Sequence, residues 1–355
     1  FLRFRFTEIS DRLMAMRLVT YIDGKGIEKI GLHTGELGHG TIVDIAQAAL
    51  VVSSDLDGWK PPSDMISVIK TEDESLPQLQ LILQKALDNE LPKNVLHPEA
   101  EVTLISPIPH PASMRDGYAF RQHVEAARRN RGAEMIAEFD QFPIFYFTNH
   151  LAVTGPGDLP VQKLTLQKLD FELEAAIVIG KGGKNILSST ADQHIFGYMI
   201  MNDWSARHLQ MEEMKLNLGP AKGKDFATSL GPYLVTRDEM SPFLIPSAQG
   251  ERYNRKMKCW VNGNLLSEGN LKDMTWTFAQ IVERASYGVC LHPGEVIGSG
   301  TVGTGCFLEL NGSKITNNQW LKPGDEVVME IESLGRLINT VCEAEPTSLD
   351  HTLPQ

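Results

Sequence analysis

The sequence predicts a β-rich α+β protein in which a mixed β-sandwich or roll follows a smaller β-containing N-terminal domain. The chain has 355 residues, which suits one large domain with an appendage. Beyond residue 112, strand-like runs outnumber helical runs, and the helices are irregularly spaced, which disfavours a doubly wound parallel sheet. A proline-rich segment separates the two parts. We therefore expect a small domain over residues 14–108 and a larger domain over residues 109–355.

Composition limits the classes of partner. The chain carries 33 basic and 45 acidic residues, a formal net charge of −12. A surface of that sign repels nucleic acid and anionic membranes. No apolar run approaches the roughly 20 residues that a membrane-spanning helix needs. Residues 1–13 alternate charged and apolar side chains, unlike a secretory signal, and we expect a poorly ordered or upstream extension there.

The cysteines indicate a reducing compartment. They are scattered through apolar surroundings and form no Cys-x-x-Cys pair. We expect buried free thiols in a cytoplasmic protein. The four are Cys259, Cys290, Cys306 and Cys342.

The N-terminal part alternates strand and helix patterns. Three short runs read as strands: RLVTYI, EKIGLHT and GTIVDI. Two runs have the apolar spacing of amphipathic helices: IVDIAQAALVVSS and LPQLQLILQKALDN. The next segment, LHPEAEVTLISPIPHPASM, contains four prolines and suits a linker.

The larger part opens with a helix pattern, GYAFRQHVEAARRNRG, which ends at a glycine. Strand-like runs dominate after it: FPIFYFT, DFELEAAIVIG, GPYLVT, KMKCWVNG, GEVIGSGT, CFLELNG and GDEVVMEIESLG. Two helical runs interrupt them: SARHLQMEEMKLN and TFAQIVERASYG. This order underlies the predicted sandwich or roll.

One strand-like run carries acids at alternate positions, Asp170, Glu172 and Glu174, which share one face of a strand. Burying unpaired carboxylates is costly, so two interpretations remain. The first is a solvated strand face, and the second is a divalent cation that supplies the missing charge. The run continues as AAIVIG, apolar on both faces, which favours burial. Side chains at i and i+2, roughly 6.5–7 Å apart, can converge on one ion.

Two further acids stand in unusual settings. Asp116 follows the linker, and Asp203 ends the apolar run YMIMND. Either can join an oxygen-ligand site. The alternatives are a turn residue before Gly117 for the first and a helix N-cap for the second.

Several motifs together resemble the fumarylacetoacetate hydrolase family. They are, in order, DFELE, NDWSAR, GPAKGKDF, GSGTVG and GDEVVMEIESLG. The similarity extends from about residue 105 to about residue 345. YAFRQH and CFLEL resemble the fumarylacetoacetase branch in particular.

The resemblance implies a β-rich sandwich or roll, homodimers, and cleavage or rearrangement of carbon–carbon bonds in 1,3-dicarbonyl or acylpyruvate-like acids with Mg²⁺ or Ca²⁺. Mn²⁺ also suits oxygen ligands. For the fumarylacetoacetase branch, the resemblance further implies aromatic amino acid catabolism.

The resemblance also implies individual roles. The metal ligands would be Asp116, Glu172, Glu174 and Asp203. His123 would be the general base, oriented by Glu309. Contacts to substrate or to a developing oxyanion would come from Arg207, Gln210 and Lys224, with Tyr118, Tyr146 and Thr301 also touching substrate. Asp170 matches no ligand and is assigned to the start of its strand.

Each role has a plainer alternative. His123 lies in a helical run that could be surface, Glu309 could be a solvent-facing strand residue, and Lys224 could belong to a surface loop. The arginine that follows the histidine in fumarylacetoacetase has three competing counterparts, Arg128, Arg129 and Arg131. We expect this basic cluster to lie on a lid helix that attracts an anionic substrate, because the acidic chain disfavours nucleic acid.

The sequence GSGTVG also fits the pattern G-x-G-x-x-G of dinucleotide sites, which need a helix that opens at the glycines. The following residues, TGCFLELNGSKI, alternate like a strand, so we set a dinucleotide aside.

The predicted function is metal-dependent hydrolysis of a carbon–carbon bond in a 1,3-diketo acid, with fumarylacetoacetate, cleaved to fumarate and acetoacetate, as the first candidate. Acylpyruvate hydrolysis, oxaloacetate decarboxylation and hydratase or isomerase chemistry are alternatives on the same site. A non-enzymatic binding protein with a structural metal is the alternative from another class.

Overall fold

A computed structural model describes residues 16–130 and 132–351. The predicted extension at residues 1–13, and Arg131, lie outside the described residues. The described chain is a mixed α+β structure in which a large β-sheet packs against a smaller one and against helices. This confirms the predicted fold class.

The first strands are β1 (Arg17–Ile22), β2 (Glu28–Thr34), β3 (Thr41–Asp44), β4 (Leu96–Pro98), β5 (Thr103–Ile105), β6 (Met114–Gly117), β7 (Phe145–Phe147), β8 (Val153–Thr154) and β9 (Gly157–Val161). The later strands are β10 (Leu169–Asp170), β11 (Leu173–Ile179), β12 (Gly183–Lys184), β13 (Ile195–Asp203), β14 (Ser205–Ala206), β15 (Thr228–Thr236), β16 (Leu244–Ile245), β17 (Arg252–Tyr253), β18 (Lys256–Val261), β19 (Asn264–Asn270), β20 (Cys290–Leu291), β21 (Val296–Gly298), β22 (Glu326–Ile331) and β23 (Gly335–Glu343).

The α-helices are α1 (Ile45–Val51), α2 (Met65–Lys70), α3 (Glu72–Leu87), α4 (Arg121–Arg129), α5 (Ser188–Ala191), α6 (Arg207–Glu213), α7 (Arg237–Met240), α8 (Phe278–Ser286) and α9 (Phe307–Gly312). No helix in the described part of the chain is long and apolar enough to cross a membrane.

The large sheet has 12 strands in the order β4-β3-β2-β1-β15-β13-β11-β21-β6-β7, with β5 beside β1 and β8 beside β15. A second sheet has the order β19-β18-β22-β23-β9. The N-terminal strands join the large sheet where β1 pairs with β15. The two parts of the chain therefore share one sheet, and the division into domains near residue 108 stays a prediction.

The central strands of the large sheet are buried on both faces, which explains their continuous apolar sequences. Alternate residues of β11 show the pattern. Ala175, Ile177 and Ile179 face a core that includes the second sheet and α8. Ala176 and Val178 face a core formed with α1, α2 and α3. Any polar side chain on these strands must therefore find its partners inside the protein.

Four details differ from the sequence predictions. The predicted linker contains two short strands, β4 and β5, which pair with β3 and β1. CFLEL forms helix α9 rather than a strand, because Phe307 and Leu310 bury one helical face, and short apolar runs fit either period. The run DFELE is interrupted between β10 and β11. Cys290 is exposed and Cys342 is half-buried, whereas Cys259 and Cys306 are buried as expected.

The shared sheet predicts that both parts of the chain unfold together. Leu18 on β1 is fully buried and is paired with Leu234 of β15. We expect Leu18→Ala to lower the free energy of unfolding by about 2–5 kcal/mol. Denaturant unfolding, followed by fluorescence and circular dichroism, should still show one transition.

The matched control is Leu50→Ala on α1, whose side chain is 70% exposed. It should change the free energy of unfolding by no more than about 0.5 kcal/mol. Two separate transitions, with only one of them shifted by Leu18→Ala, would contradict a shared folding unit.

Candidate active site

A single cavity of about 1210 Å³ collects most of the predicted site residues. Nine of them line it: Asp116, Tyr118, His123, Tyr146, Glu172, Arg207, Gln210, Lys224 and Thr301. The remaining three, Glu174, Asp203 and Glu309, are buried and contact residues of the lining. The structure thus brings together side chains that are far apart in the sequence.

Four carboxylates form a compact cluster in this cavity. Asp116, Glu172, Glu174 and Asp203 each offer an oxygen, and these oxygens all lie within 4.8 Å of one another. The topology causes this arrangement, because β6, β21, β11 and β13 are consecutive in the sheet. All four side chains are buried. We call this group the acidic cluster.

Two glycines let the backbone of the GSGTVG segment approach the acidic cluster. A Cβ at Gly298 would lie 2.5 Å from Oδ1 of Asp116, so only glycine fits there. Gly300, with φ of +78°, donates its N–H to Asp116 at 3.1 Å and to Glu174 at 3.0 Å. Thr301 donates its hydroxyl to Glu174 at 3.3 Å.

The glycine segment also corrects one step of the sequence argument. The strand expected after GSGTVG is helix α9, which begins at Phe307. The loop amide of Gly300 faces carboxylates, a surrounding that would repel a pyrophosphate. The glycines are therefore explained by close packing on the acidic cluster.

Two cationic side chains neutralise part of the cluster. Nζ of Lys224 contacts Glu172 and lies 2.6 Å from Asp203. Arg207 donates to Glu172 at 2.7 Å and to Asp170 at 2.8 Å. With Asp170 included, five buried carboxyl groups face two cations, so three negative charges lack a partner when every acid is ionised.

This imbalance shifts the pKa values of the acids. Burial and the nearby Asp203 raise the pKa of Asp116 to about 8. Burial and Asp116 raise the pKa of Glu174 well above its usual range. Burial also favours the neutral form of Glu172, but Lys224 and Arg207 outweigh it and lower that pKa. Without further positive charge, the surroundings of Asp116 and Glu174 therefore favour their protonated forms.

The residues fit a hard divalent cation. Oδ1 of Asp203 is buried and has no hydrogen-bond partner among the described residues, which is costly unless another group satisfies it. The cluster offers only carboxylate oxygens, the donors preferred by Mg²⁺, Ca²⁺ and Mn²⁺. Two positive charges would also balance most of the charge deficit. The four acids could therefore hold such an ion.

A histidine–glutamate pair lies in the same site. Nδ1 of His123, on α4, is 2.6 Å from Oε2 of Glu309, on α9. Both side chains are buried, so neither is the surface residue that the alternative readings supposed. An Nδ1–H that donates to the carboxylate leaves the lone pair of Nε2 as the basic position of the ring. Tyr118 packs edge-on against the imidazole, with ring centroids 5.7 Å apart.

Other predicted contacts are already engaged within the protein. Tyr146 donates its hydroxyl to Asp203 at 2.6 Å. Burial and Asp203 raise the pKa of this tyrosine well above its usual range. Gln210 accepts a hydrogen bond from Arg207 at 2.9 Å. Tyr146 and Gln210 therefore hold other site residues as well as lining the cavity.

The arginines in the described chain that compete as counterparts of the fumarylacetoacetase arginine are not placed in the cavity lining by the structure. Arg128 donates to the backbone carbonyl of Glu134, and Arg129 is exposed at the end of α4. Neither is among the residues that line the cavity. Arg131 lies outside the described residues.

Sequence reasoning missed the part played by Asp170, which it placed at the start of a strand. The side chain is fully buried and accepts hydrogen bonds from the backbone of Phe307 and Leu308 and from Arg207. The sequence did contain a signal for this role. Asp170 is a carboxylate between the apolar Leu169 and Phe171 and matches no metal ligand, so it needs another buried partner.

The fold and the site define a class of α+β protein with a deep cavity, a buried acidic cluster and an adjacent histidine–glutamate pair. Residues 112–342 match the family model described as the C-terminal domain of fumarylacetoacetate (FAA) hydrolase. The chain belongs to the fumarylacetoacetate hydrolase family, whose members are enzymes.

Relatives within the family carry different activities in their names. A mitochondrial oxaloacetate tautomerase of Bos taurus is 31% identical, over 81% of this chain and 83% of its own. An oxaloacetate tautomerase of Bacillus subtilis (strain 168) is 32% identical, over 68% and 74%. A fumarylacetoacetase of Oryza sativa subsp. japonica is 35% identical, over 46% of each chain.

Solved structures share the fold. A fumarylacetoacetate hydrolase from Exiguobacterium antarcticum superposes with a TM-score of 0.67 at 25% identity, covering 93% of this chain and 100% of the other. A probable 2-hydroxyhepta-2,4-diene-1,7-dioate isomerase from Mycobacterium abscessus gives 0.65 at 24% identity, covering 94% and 100%.

The raised pKa of Asp116, about 8, predicts an unusual pH dependence in chelator-treated protein. Between about pH 5 and pH 8, Asp116 holds a proton in the folded state but not in the unfolded state. The folded state then binds more protons, so the free energy of unfolding should fall as pH rises through this window. Denaturant unfolding at a series of pH values measures this slope, and saturating Mg²⁺ should reduce it.

The control is Asp116→Asn, which cannot titrate at this position. Its chelator-treated form should lose the part of the slope that Asp116 contributes, leaving the contributions of other groups. If wild-type protein and Asp116→Asn show the same slope, Asp116 is not protonated as inferred.

Proposed function

We propose that the protein catalyses metal-dependent hydrolysis of a carbon–carbon bond in a 1,3-diketo acid, with fumarylacetoacetate or an acylpyruvate as substrate. The observation that carries the proposal is the buried His123–Glu309 pair, whose imidazole lines the same cavity as the acidic cluster. Family membership supports it. Turnover of fumarylacetoacetate would place the enzyme in aromatic amino acid catabolism.

The acidic cluster would hold the divalent cation through Asp116, Glu172, Glu174 and Asp203. When bound, the cation would polarise the carbonyl oxygens of the substrate as a Lewis acid. The remaining chemistry falls to side chains that the structure describes.

His123 is suited to activate water. Its Nε2 removes a proton from water, and the water oxygen bonds to a substrate carbonyl carbon. The bond between that carbon and its neighbour then breaks, and its electron pair remains on the neighbour as an enolate. The imidazolium returns the proton to the carbon of the enolate, and the attacked carbon becomes that of the new carboxylate. Glu309 fixes the ring orientation and stabilises the imidazolium between these transfers.

Lys224 and Arg207 are suited to stabilise negative charge. Lys224 contacts two carboxylates and lines the cavity, so one of its three N–H donors remains for a substrate oxygen. Arg207 binds Asp170, Glu172 and Gln210, which fixes its guanidinium plane at the cavity wall. Both can offset an enolate or a substrate carboxylate. Tyr118 and Thr301 line the same space.

Oxaloacetate tautomerisation is the second candidate. The relatives that cover most of this chain include oxaloacetate tautomerases. The same imidazole could move a proton between carbon and oxygen without a nucleophilic water. Decarboxylation, hydratase or isomerase action and a purely structural metal remain further alternatives.

A substrate panel separates these candidates. Fumarylacetoacetate, acetopyruvate and oxaloacetate are each incubated with protein and Mg²⁺ in ¹⁸O-labelled water. Hydrolysis predicts cleavage of a diketo acid with one ¹⁸O in the new carboxylate, and loss of activity with EDTA. Keto–enol conversion of oxaloacetate without cleavage of either diketo acid would favour the tautomerase. No reaction of any substrate would favour a binding protein.

The role of His123 predicts that His123→Ala lowers kcat for hydrolysis by about 100-fold or more, because general-base catalysis contributes that much. Mg²⁺ affinity, measured by calorimetry, should stay close to that of the wild type, since the ring is not part of the acidic cluster. Steady-state kinetics on acetopyruvate provides the measurement.

The control is His39→Ala, at an exposed position that is not among the residues lining the cavity. This variant should keep wild-type kinetics. Wild-type kcat in His123→Ala would show that another group activates the water.

We also propose that the protein forms homodimers in the cytoplasm. Exposed apolar side chains on the edge strand β7 and the loop after it, Phe147 and Leu151, support association. Light scattering that returns the mass of one chain at micromolar concentration would count against the dimer.

A further inference from the structure

We propose that Asp170 is a positioning residue. Its buried carboxylate fixes both helix α9, which carries the Glu309 partner of His123, and the guanidinium of Arg207. The kinetic part of this inference rests on the proposed function, and the structural part does not. The inference concerns the acid of DFELE that the acidic cluster does not include.

One set of contacts runs from Asp170 to helix α9. Oδ1 accepts the backbone N–H of Phe307 at 2.7 Å, and Oδ2 accepts that of Leu308 at 2.9 Å. Cys306, the residue before the helix, provides no side-chain cap. Asp170 therefore takes the role of a cap from a distant part of the chain. The next residue of the helix is Glu309, the partner of His123.

A second set of contacts runs to Arg207. Nε of this arginine donates to Oδ2 of Asp170 at 2.8 Å, while its other nitrogens bind Glu172 and Gln210. The pairing of β10 with β14 brings the two together, since Asp170 lies opposite Ser205, two residues before the arginine. One carboxylate thus fixes a cation that contacts the acidic cluster.

The free-energy cost of burying this carboxylate indicates that it has a specific role. Asp170 is fully buried, so its carboxylate has no contact with solvent. An apolar residue would avoid the cost of desolvation. Four donors converge on the two oxygens: the amides of Phe171, Phe307 and Leu308, and Nε of Arg207. Every contact uses the side chain as an acceptor.

This pattern identifies an informative substitution. Asparagine has nearly the same shape as aspartate, but it has one acceptor oxygen and one NH₂ group. If its oxygen keeps the bonds to Phe171 and Phe307, its NH₂ faces the N–H groups of Leu308 and Arg207. Donors then oppose donors, so both α9 and the guanidinium must shift.

The experiment compares wild-type protein with Asp170→Asn, with acetopyruvate and Mg²⁺ as the probe. We expect kcat to fall by about 10- to 100-fold, the usual effect of losing a group that orients a ligand or catalytic residue, with little change in KM. Asp170→Asn combined with Glu309→Gln should lose less than the product of the two single losses, because Asp170 acts in part through Glu309 and in part through Arg207.

A spectroscopic measurement needs no substrate. The short Nδ1–H hydrogen bond of His123 to Glu309, 2.6 Å between heavy atoms, should give a far-downfield proton resonance. Loss of this resonance in His123→Ala assigns it. We expect it to shift or disappear in Asp170→Asn. If wild-type protein turns over no substrate, the proposed function fails, and the resonance still decides the role of Asp170.

The matched control is Asp44→Asn. Asp44 is also buried, caps a helix through the amide of Gln47 at 2.9 Å, and pairs with Lys29 at 2.9 Å, but it is not among the residues that line the cavity. It should cost stability without changing kcat or the downfield resonance.

If Asp170→Asn does not fold, Asp170→Glu is measured in the same way, because its longer side chain keeps two acceptor oxygens but displaces them from the amides of Phe307 and Leu308. For whichever variant folds, an unchanged resonance would overturn the proposal. A loss of kcat that multiplies fully with the loss in Glu309→Gln would also overturn it.

Discussion

Mutual repulsion among buried carboxylates is the constraint on which this site depends. The four acids of the cluster have oxygens within 4.8 Å of one another and no direct solvation to separate their charges. Lys224 and Arg207 neutralise part of that charge, and protons or a divalent cation must supply the rest. The surrounding structure follows this need: Gly298 leaves room for Asp116, and the amide of Gly300 donates into the cluster.

Different elements of the fold carry the acidic cluster and the histidine–glutamate pair. Central strands carry Asp116, Glu174 and Asp203, and Glu172 lies just before β11, so the sheet register sets the spacing of three of the four acids. Helices α4 and α9 carry His123 and Glu309, which meet beside the cluster without belonging to it. Asp170 accepts hydrogen bonds from the first amides of α9 and from Arg207, which in turn binds Glu172 of the acidic cluster. A base that is separate from the metal ligands can change protonation during a reaction while the cluster keeps its charge.

The sequence predicted the parts of this arrangement that depend on local pattern. Alternating acids and the apolar run after them indicated a buried strand, and motif resemblance identified the family. Prediction from the sequence failed where tertiary contacts outweigh the local residue pattern. CFLEL alternates like a strand, but Asp170, far away in the chain, binds the first amides of helix α9. Asp170 was assigned to the start of a strand because its hydrogen-bond partners are distant in the sequence and meet it only in the folded protein. The set of side chains that line the cavity likewise could not be predicted without the strand order of the sheet.

The claim that four distant acids share one cation can be tested directly by crystallography with Mn²⁺. Anomalous diffraction locates the ion without relying on activity or on the identity of the substrate. The account predicts one strong peak per chain, within coordinating distance of oxygens from Asp116, Glu172, Glu174 and Asp203, about 2.0–2.5 Å. No peak at saturating Mn²⁺, or a peak only at other residues, would contradict it.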